Sequence, residues 1–421
     1  MIRNLRRHAV AATIAATLAL AACGTASVTS TSSDVSNAGT VTTSTTAENA
    51  AAVTSTVAAP VGALASIDTH FDDDDLTWDA SEEQVVTLAD SASASSASGV
   101  SVSGDTITIT QGGVYRLSGT LSDGQVVVAA PDDQSVTLIL DGVTITNSTG
   151  PAVAVTTADE VTISLAANTT NALTDGSGYT VADDATPVAA LASAADLTIA
   201  GTGSLTVTGN TNDAINSSDG LVIAGGTITA QATDDGIRGK DYVSVLDGTV
   251  AVTAGGDAIT SDNADDADRG WVLISGGAVT LDAGSDGIDA AQAVEVSRGE
   301  LTVARSAEGL ESANVTISGG TVSITASDDG INTTLGTQAG GTEGDDGSLL
   351  AISAGTLTVA AGSDGLDANG SVSITGGTIT VTSQSGRGSG AVDANGQITF
   401  ENATLTANGT AITSASQLSS H

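Results

Sequence analysis

The sequence has little of three kinds of residue: cysteine, aromatic residues and basic residues. Its single cysteine, Cys23, has no partner for an intramolecular disulfide bond. Two tryptophans, three tyrosines and two phenylalanines among 421 residues are too few for a core built on large aromatic anchors. Ten basic side chains against 49 acidic ones give a net charge of −39. Because nucleic-acid binding relies on lysine and arginine, we exclude nucleic acid as a partner and expect cations to be attracted instead.

The first 22 residues predict a signal for export. Three arginines precede an apolar stretch, residues 9–22, that has the length of a signal h-region and is too short to span a bilayer. The stretch ends in Leu20-Ala21-Ala22-Cys23, which resembles the bacterial lipobox. We therefore predict a lipoprotein signal peptide over residues 1–22, lipidation of Cys23, and attachment to the outer face of the cell membrane through the lipid alone. The alternative is an ordinary secretory signal, with Cys23 incidental.

A repeat of 21 to 22 residues dominates the C-terminal half. Each copy contains a strand of type T-[IVL]-T-[VI], an acidic turn that ends in Gly-Ile or Gly-Leu, a second short strand and a Gly-Gly pair. The aligned acids stand 22, 29, 22, 21 and 35 residues apart; they are Asp235, Asp257, Asp286, Glu308, Asp329 and Asp364. Apolar and hydroxyl residues alternate within strands such as Val322-Ser323-Ile324-Thr325, which directs Val322 and Ile324 inward. This period and alternation predict an all-β fold, a parallel β-helix solenoid of about 21–22 residues per coil.

The chain before residue 201 is less regular and predicts earlier, wider coils of the same solenoid. Strand patterns occupy residues 105–110, 114–118, 125–129, 136–141 and 161–165. The two long steps between aligned acids contain insertions, residues 262–266 and 334–347. We predict four segments: the signal peptide 1–22, a flexible Ser/Thr/Ala tether 23–65, an N-terminal cap region 66–100 that hides the open end of the solenoid, and the β-helix 101–421.

The aligned acids predict a vertical row of carboxylates, because consecutive coils stack about 4.8 Å apart. Asp before Gly is good turn chemistry, so such a row can be purely structural. The doubled acids Asp234-Asp235, and the pair Asp262-Asn263 five residues after Asp257, favour a calcium site, since Ca²⁺ prefers carboxylate, carbonyl and amide oxygens. The last copies of the repeat lose the acid, so we expect the calcium site in the coils from Asp235 to Asp286.

Two basic residues lie near this row. Arg238 and Lys240, the only lysine of the sequence, follow Ile237, and alternation predicts that both point outward beside the acids if Ile237 points inward. Arg238, Lys240 and Trp271 are candidate carbohydrate-binding residues, and the two cations suit a uronate carboxylate. Trp271 and Tyr242 also have a structural explanation, since packing is the more common role of an isolated aromatic residue. In a lyase, Lys240 would be the base that removes the proton α to the carboxylate, while calcium acidifies that proton.

The run from Ala232 to Gly277, ATDDGIRGKDYVSVLDGTVAVTAGGDAITSDNADDADRGWVLISGG, is similar to the core of a known family. That family is the calcium-binding, right-handed parallel β-helix carbohydrate-binding domains, whose founding member binds pectic, acidic polysaccharide. The segments GGVYRLSGTLSDGQVVV, VTLILDGVTI and NALTDGSGYT resemble it as well, so the likeness covers roughly residues 68–403. Ala258, where other copies have Gly, and Glu308 in place of Asp depart from its pattern.

The resemblance implies a right-handed helix, bound Ca²⁺ and binding of polygalacturonate-type polysaccharide. The metal ligands that it implies are Asp234, Asp235, Asp257, Asp262, Asn263 and Asp286. We therefore expect a cell-surface lipoprotein, monomeric, that binds acidic, uronate-rich polysaccharide with Ca²⁺ held at its Asp-Gly-Ile turns. A Ca²⁺-dependent polysaccharide lyase and a non-catalytic structural adhesin stay open as alternatives, and no catalytic residue is predicted beyond Lys240 in the lyase.

Overall fold

Every coil of the chain contributes strands to three ladders that run along the molecule. The computed structural model describes residues 52–53, 57, 59, 62–181, 186–336, 344–384 and 390–418. We call the ladders face 1, face 2 and face 3, in the order in which one coil passes through them. Neighbouring coils pair in parallel on all three faces, so the predicted parallel β-helix solenoid is confirmed. No helix among the described residues is long and apolar enough to cross a membrane.

Face 1 is a sheet of thirteen described strands that pair in chain order. The first two strands are antiparallel to each other, and the second begins the parallel ladder. The strands are Val100–Ser103, Thr106–Ile109, Gln125–Ala129, Val153–Thr157, Ala189–Ser193, Asp213–Ser217, Ile237–Gly239, Ile259–Ser261, Ile288–Ala290, Leu310–Ser312, Ile331–Thr333, Leu366–Ala368 and Val392–Ala394. From the seventh strand on they are three residues long, which leaves one outward-facing side chain at the centre of each.

Faces 2 and 3 begin from two long strands near the N-terminus, Gly113–Leu121 and Val136–Thr146, which serve both faces. Face 2 continues with Glu160–Leu165, Asp196–Gly201, Gly220–Ile223, Tyr242–Val245, Trp271–Ile274, Ala293–Val296, Asn314–Ile317, Leu349–Ile352, Ser371–Ile374 and Ile398–Phe400. Face 3 continues with Thr170–Thr174, Ser204–Gly209, Thr227–Ala232, Thr249–Thr253, Ala278–Asp282, Glu300–Arg305, Thr321–Thr325, Thr356–Ala360, Thr378–Thr382 and Thr404–Ala407. The strands predicted before residue 201 all belong to these ladders.

Antiparallel strands cover both ends of the solenoid. At the N-terminal end Gln84–Ala89 extends the long strands and pairs with the antiparallel Ala94–Ser95. At the C-terminal end Thr410–Ile412 folds back on Thr404–Ala407, and a 3-10 helix, Ala415–Gln417, follows. A strand that folds back occupies the open backbone groups of the last coil, so it limits edge-to-edge pairing with other chains.

The core is a column of stacked aliphatic side chains. Ile215, Ile237, Ile259 and Ile288 pair in register on face 1, and all four are fully buried. Burying a side chain of this size contributes about 1.5–3 kcal/mol. Because each coil repeats the contribution, the solenoid is stabilised without the large aromatic anchors that the sequence lacks.

The corner between faces 2 and 3 depends on glycine. Gly248 and Gly299 adopt φ values of +104° and +80°, in the region that disfavours other residues. A Cβ atom on Gly248 would lie 2.8 Å from the carbonyl oxygen of Gly226 in the preceding coil. The Gly-Gly pairs of the repeat therefore let successive coils turn and stack closely at this corner.

Residues 62–79, which we call the N-terminal strap, lie along the outside of face 2. The strap contains two 3-10 helices, Leu64–Ser66 and Asp73–Leu76. It ends in the strand Trp78–Asp79, which pairs with Ala52–Val53. A further 3-10 helix, Ala80–Glu82, follows the strap. The Leu64 N–H donates to Glu295 Oε2 over 2.9 Å, and the His70 N–H donates to the Tyr242 hydroxyl over 2.8 Å. The structure thus differs from the predicted cap over residues 66–100. Residues 66–79 belong to the strap and cover face 2, and only the later part of the range covers the N-terminal end of the solenoid. Residues 1–51, with the predicted signal, Cys23 and most of the tether, lie outside the described residues.

Candidate functional site

Seven successive coils enter face 1 through a turn that carries an acid followed by a small residue. The aligned acids, which we call the turn column, are Asp213, Asp235, Asp257, Asp286, Glu308, Asp329 and Asp364. The turns are close together, since a Cβ atom on Gly287 would lie 2.5 Å from the carbonyl oxygen of Gly309. Ala258 stands where other turns have Gly, yet its N–H donates to the Asp286 carbonyl over 2.9 Å, as the glycines donate in their own turns. The column therefore continues past Ala258.

One oxygen of most turn-column carboxylates is used by the next coil. Asp235 Oδ1 accepts from the Asp257 N–H over 3.0 Å, and Asp257 Oδ1 accepts from the Asp286 N–H over 2.8 Å. Asp286 Oδ1 in turn accepts from the Glu308 N–H over 2.9 Å. Burial raises the pKa of Asp235 and Asp286, although these hydrogen bonds oppose it. The column thus has a structural role in the turns, and the second oxygen of each carboxylate remains for other partners.

A second line of polar side chains runs beside the turn column at the centre of face 1. We call it the outer row; in chain order it consists of Asn216, Arg238, Thr260, Asp289, Glu311, Asn332, Asp367 and Asp393, each paired in register with the next. Two pairs of acids adjoin in it, Asp289 with Glu311 and Asp367 with Asp393. The outer row therefore concentrates negative charge in the coils after Asp286.

Three carboxyl groups of the outer row, those of Asp289, Glu311 and Asp367, are destabilised as anions. Burial raises the pKa of Asp289 to about 7, and the carboxylates of Asp257 and Asp286 add to the effect. Burial raises the pKa of Glu311 to about 8, with further contributions from Glu308 and Asp289. Asp367 is raised to about 7 in the same way. Without a counter-ion these groups hold protons near neutral pH, so the face is suited to a cation that replaces those protons.

Three carboxylates converge where the turn column meets the outer row. Asp286, Glu308 and Glu311 each place an oxygen within 4.8 Å of the others, and they are the one such group of three or more among the described residues. Asn332 adjoins Glu311 in the outer row and donates through Nδ2 to Glu308 Oε2 over 2.9 Å. The Oδ1 atom of Asn332 is buried without a hydrogen-bond partner. We call these four residues the carboxylate cluster; its donors are all oxygens, which suits Ca²⁺ and not zinc or copper.

The predicted metal ligands divide into two groups in the structure. Asp235, Asp257 and Asp286 belong to the turn column, and Asp234 lies exposed beside Asp235, where both carboxylates approach Gly256. Asp262, in contrast, forms an ion pair with Arg238.

Asn263 turns away to the corner between faces 1 and 2. Its Nδ2 donates to Asp241 Oδ1 over 2.6 Å, and its Oδ1 accepts from the N–H groups of Asp265 and Asp266. The side-chain oxygen that would be needed for a metal is therefore occupied within the loop 262–270.

The basic residues point outward, as alternation predicts. Ile237 is fully buried, Arg238 lies in the outer row and Lys240 is exposed. The guanidinium of Arg238 is engaged by the Asp262 carboxylate, which leaves Lys240 as the accessible cation beside this part of the face.

Trp271 does not offer an exposed surface to a carbohydrate. Its side chain is 1% exposed and stacks on Tyr242, with ring centroids 4.7 Å apart. Both rings lie on the outside of face 2 beneath the strap, where they pack with Leu64, Ile67 and Phe71. The prediction that Trp271 binds carbohydrate is therefore wrong, because the strap covers the Trp271 ring. Trp271 and Tyr242 are packing residues.

The sequence interpretation missed the acids of the outer row. Asp289, Glu311, Asp367 and Asp393 each stand one residue after the buried Ile, Leu or Val of a face 1 strand. Their signal is an acid three residues after the column position, as in DGID, EGLE and DGLD. It becomes visible only when the copies are aligned in structural register, since each acid alone is a common surface residue.

Comparisons with known proteins give the family to which the chain belongs. The profile of the family described as carbohydrate-binding domain-containing proteins matches residues 103–347, which include the whole carboxylate cluster. The chain belongs to this family. A carbohydrate-binding domain-containing protein of Acetivibrio thermocellus is 34% identical over 228 residues, which cover 54% of this chain and 80% of the relative. The gadolinium derivative of the polysaccharide lyase-like protein from C. thermocellum superposes with a TM-score of 0.51 at 30% identity, over 64% of this chain and 99% of that one.

Proposed function

We propose that the protein binds acidic, uronate-rich polysaccharide through Ca²⁺ held by the carboxylate cluster of face 1. Membership of a carbohydrate-binding domain family supports glycan binding. The observation that carries the finer proposal is the convergence of Asp286, Glu308 and Glu311 within 4.8 Å. Carboxylates packed so closely repel one another unless protons or a cation lie between them.

The residues present fit Ca²⁺ in number and kind. Ca²⁺ takes 6 to 8 oxygen ligands, and carboxylates bind it through one or both oxygens. Asp286, Glu308 and Glu311 would hold the ion, and the unpaired Oδ1 of Asn332 is a further oxygen beside them. The relative of known structure was prepared as a gadolinium derivative, and trivalent lanthanide ions are hard cations that prefer the same oxygen ligands.

A bound cation explains how a strongly acidic protein could retain an acidic glycan. The net charge of −39 repels a polyuronate at long range. If each of the three carboxylates binds through one oxygen, positions on Ca²⁺ stay open, and a uronate carboxylate can complete its coordination. The exposed Lys240 adds a second attraction to carboxylate groups of the same polymer.

Affinity electrophoresis in gels that contain polygalacturonate, with Ca²⁺ or with EDTA, tests the proposal. We expect retention in Ca²⁺ that EDTA abolishes, and at least tenfold weaker retention of Glu311→Gln. Glu300→Gln is the matched control, because Glu300 lies exposed on face 3, away from the cluster, and carries the same charge. Equal retention of all three proteins would count against the cluster as the binding site.

The lyase and adhesin alternatives make different predictions. The solved relative is a polysaccharide lyase-like protein, and the exposed Lys240 is free of an ion pair in the described structure, as a base would need to be. A lyase would generate unsaturated uronide ends that absorb in the ultraviolet, and Lys240→Ala would remove that activity. A structural adhesin would bind Ca²⁺ without affinity for any glycan.

We further propose that the protein is exported and held at the outer face of the cell membrane by a lipid on Cys23. The support is the likeness of Leu20-Ala21-Ala22-Cys23 to a lipobox and the position of the one cysteine within it. Mass spectrometry of the native protein should find an acylated peptide that begins at Cys23. Recovery of a peptide cleaved elsewhere, with an unmodified thiol, would refute the anchor.

A further inference from the structure

A cavity of about 420 Å³ opens on the outside of the N-terminal coils, far along the chain from the carboxylate cluster. Its floor is a row of outward side chains from four neighbouring strands, Arg116, Ile139, Ser164 and Ala200, which pair in register. Three strand spacings give the floor a length of about 14 Å. The cavity is therefore an elongated groove across the first coils of face 2.

The two walls of this groove are different in character. One wall is the end of the strap, where Leu76 and Trp78 face the floor. The other is the corner that contains Ala166, Ala167 and Gly201. These small residues leave the space open, and Gly201 cannot be enlarged, because a Cβ atom there would lie 2.3 Å from the Leu165 carbonyl oxygen. An aromatic ring thus faces a wall without bulky side chains, with room between them.

The ring of Trp78 is fixed in place by a network of charged groups. Its Nε1 donates to Glu83 Oε1 over 2.9 Å, and Arg116 donates to both oxygens of Glu83, over 2.6 and 3.0 Å. Arg116 Nη1 also donates to Asp141 Oδ2 over 3.1 Å. The indole is held by its edge, so its orientation is set before a ligand arrives, and little ordering entropy is lost on binding.

The polar groups of the groove suit a ligand that is rich in hydroxyls. Arg116 uses three of its five N–H groups in the network and retains two, while Asp141 is 40% exposed and supplies acceptors. Thr162 and Ser164 line the floor with hydroxyls, which donate and accept. An apolar ring with a few convergent donors and acceptors is the usual construction of a small-ligand site.

The charge of the groove selects against acidic ligands. Arg116 carries one positive charge against the two carboxyl groups of Glu83 and Asp141, and its guanidinium holds the pKa of Glu83 below the usual value. A uronate carboxylate would therefore meet a net negative site whose one guanidinium is already paired. A neutral sugar meets no such repulsion.

We propose that the groove between the strap and the first coils is a second glycan subsite that takes neutral sugar units, with Trp78 as the stacking platform and Arg116, Asp141 and Ser164 as hydrogen-bonding partners. The inference rests on the proposed glycan-binding function, but it requires neither calcium nor the carboxylate cluster. It also gives the strap a role, since one wall of the subsite exists only while the strap lies against face 2.

The two tryptophans of the chain allow a direct test by intrinsic fluorescence. In the whole chain with Trp271→Phe, the fluorescence comes from Trp78 alone. In the chain with Trp78→Phe, it comes from the buried Trp271 alone. Both are titrated in EDTA with neutral oligosaccharides of glucose, mannose and xylose, and with oligogalacturonate. We expect saturable change of Trp78 emission with at least one neutral series, no change of Trp271 emission, and no response to oligogalacturonate.

Two further measurements separate this subsite from the carboxylate cluster. Ser164→Ala, which removes only the hydroxyl, should weaken the neutral ligand about tenfold. It should leave Ca²⁺-dependent retention on polygalacturonate unchanged. No response of Trp78 to any neutral series, or an equal response to oligogalacturonate, overturns the inference. Because retention on polygalacturonate is scored separately, failure of the groove and failure of the proposed function give distinct results.

Discussion

Glu311→Gln should have opposite effects on the metal-free protein and on its response to calcium. Glu311 lies within 4.8 Å of the carboxylates of Asp286 and Glu308. Two unit charges at that distance repel by about 3 kcal/mol at an effective dielectric of 20. Because the groups are partly exposed and share protons, we expect the amide to raise the free energy of unfolding in EDTA by about 2 kcal/mol at pH 8.5. For a domain of this size that is a rise in Tm of about 3 °C.

Calcium should then stabilise the variant less than the wild type. A ligand at a hundred times its Kd adds about 2.7 kcal/mol to the free energy of unfolding. A tenfold loss of affinity removes about 1.4 kcal/mol of that gain. Differential scanning calorimetry in EDTA and in Ca²⁺, with Glu300→Gln as the control, measures both effects. If Glu311→Gln shifts the Tm relative to the wild type equally in EDTA and in Ca²⁺, the cluster holds no metal. If the variant has a lower Tm than the wild type in EDTA, the carboxylates do not repel one another.

The same perturbation has a defined pH dependence. Glu311 has a folded pKa of about 8, raised first by burial and then by its acidic neighbours, against an ordinary value of 4.5. A raised pKa means that the folded state binds the proton more tightly than the unfolded state. The stability from this group is therefore complete below about pH 4.5 and is lost as the pH rises through about 8. Glu311→Gln should flatten that decline in EDTA, and excess Ca²⁺ should oppose it in the wild type.

Three further predictions concern other residues. Asp257→Ala removes the acceptor of the Asp286 N–H and should cost about 1–3 kcal/mol in urea denaturation, with or without calcium; a cost that appears only in calcium would mean that the turn hydrogen bond contributes nothing by itself. Trp271→Ala should lower the free energy of unfolding by about 3–5 kcal/mol because the indole is buried, while retention on polygalacturonate is kept by the folded fraction. Lys240→Ala should weaken retention on polygalacturonate by a few-fold without changing Tm, and the appearance of ultraviolet-absorbing products in the wild type alone would establish a lyase instead.

Much of the fold could be predicted from the sequence because a solenoid repeats one local pattern. The spacing of Asp235, Asp257 and Asp286 equals the spacing of the isoleucines that stack in the core. The period of the sequence therefore predicts which residues of neighbouring coils pair. The insertion at residues 262–266 was visible as one long step between aligned acids. The strap was not predictable in this way, because Leu64 and His70 make contacts with residues 231 and 172 positions away that follow no period.

The candidate site could be predicted only in part. Alternation correctly directed Arg238 outward, but it could not show that Asp262 would pair with it. The acids Asp289 and Glu311 escaped notice because the turn acids formed the stronger pattern. Their proximity depends on how two coils pair in the outer row, which is a property of the register and not of either coil alone.

Isothermal titration calorimetry of polygalacturonate fragments into the whole chain tests the central claim most directly. It compares metal-free protein, protein with Ca²⁺ and Glu311→Gln with Ca²⁺. The proposed calcium bridge predicts binding in Ca²⁺, none in EDTA and at least tenfold weaker binding by the variant. Binding of equal affinity in EDTA and in Ca²⁺ would contradict it.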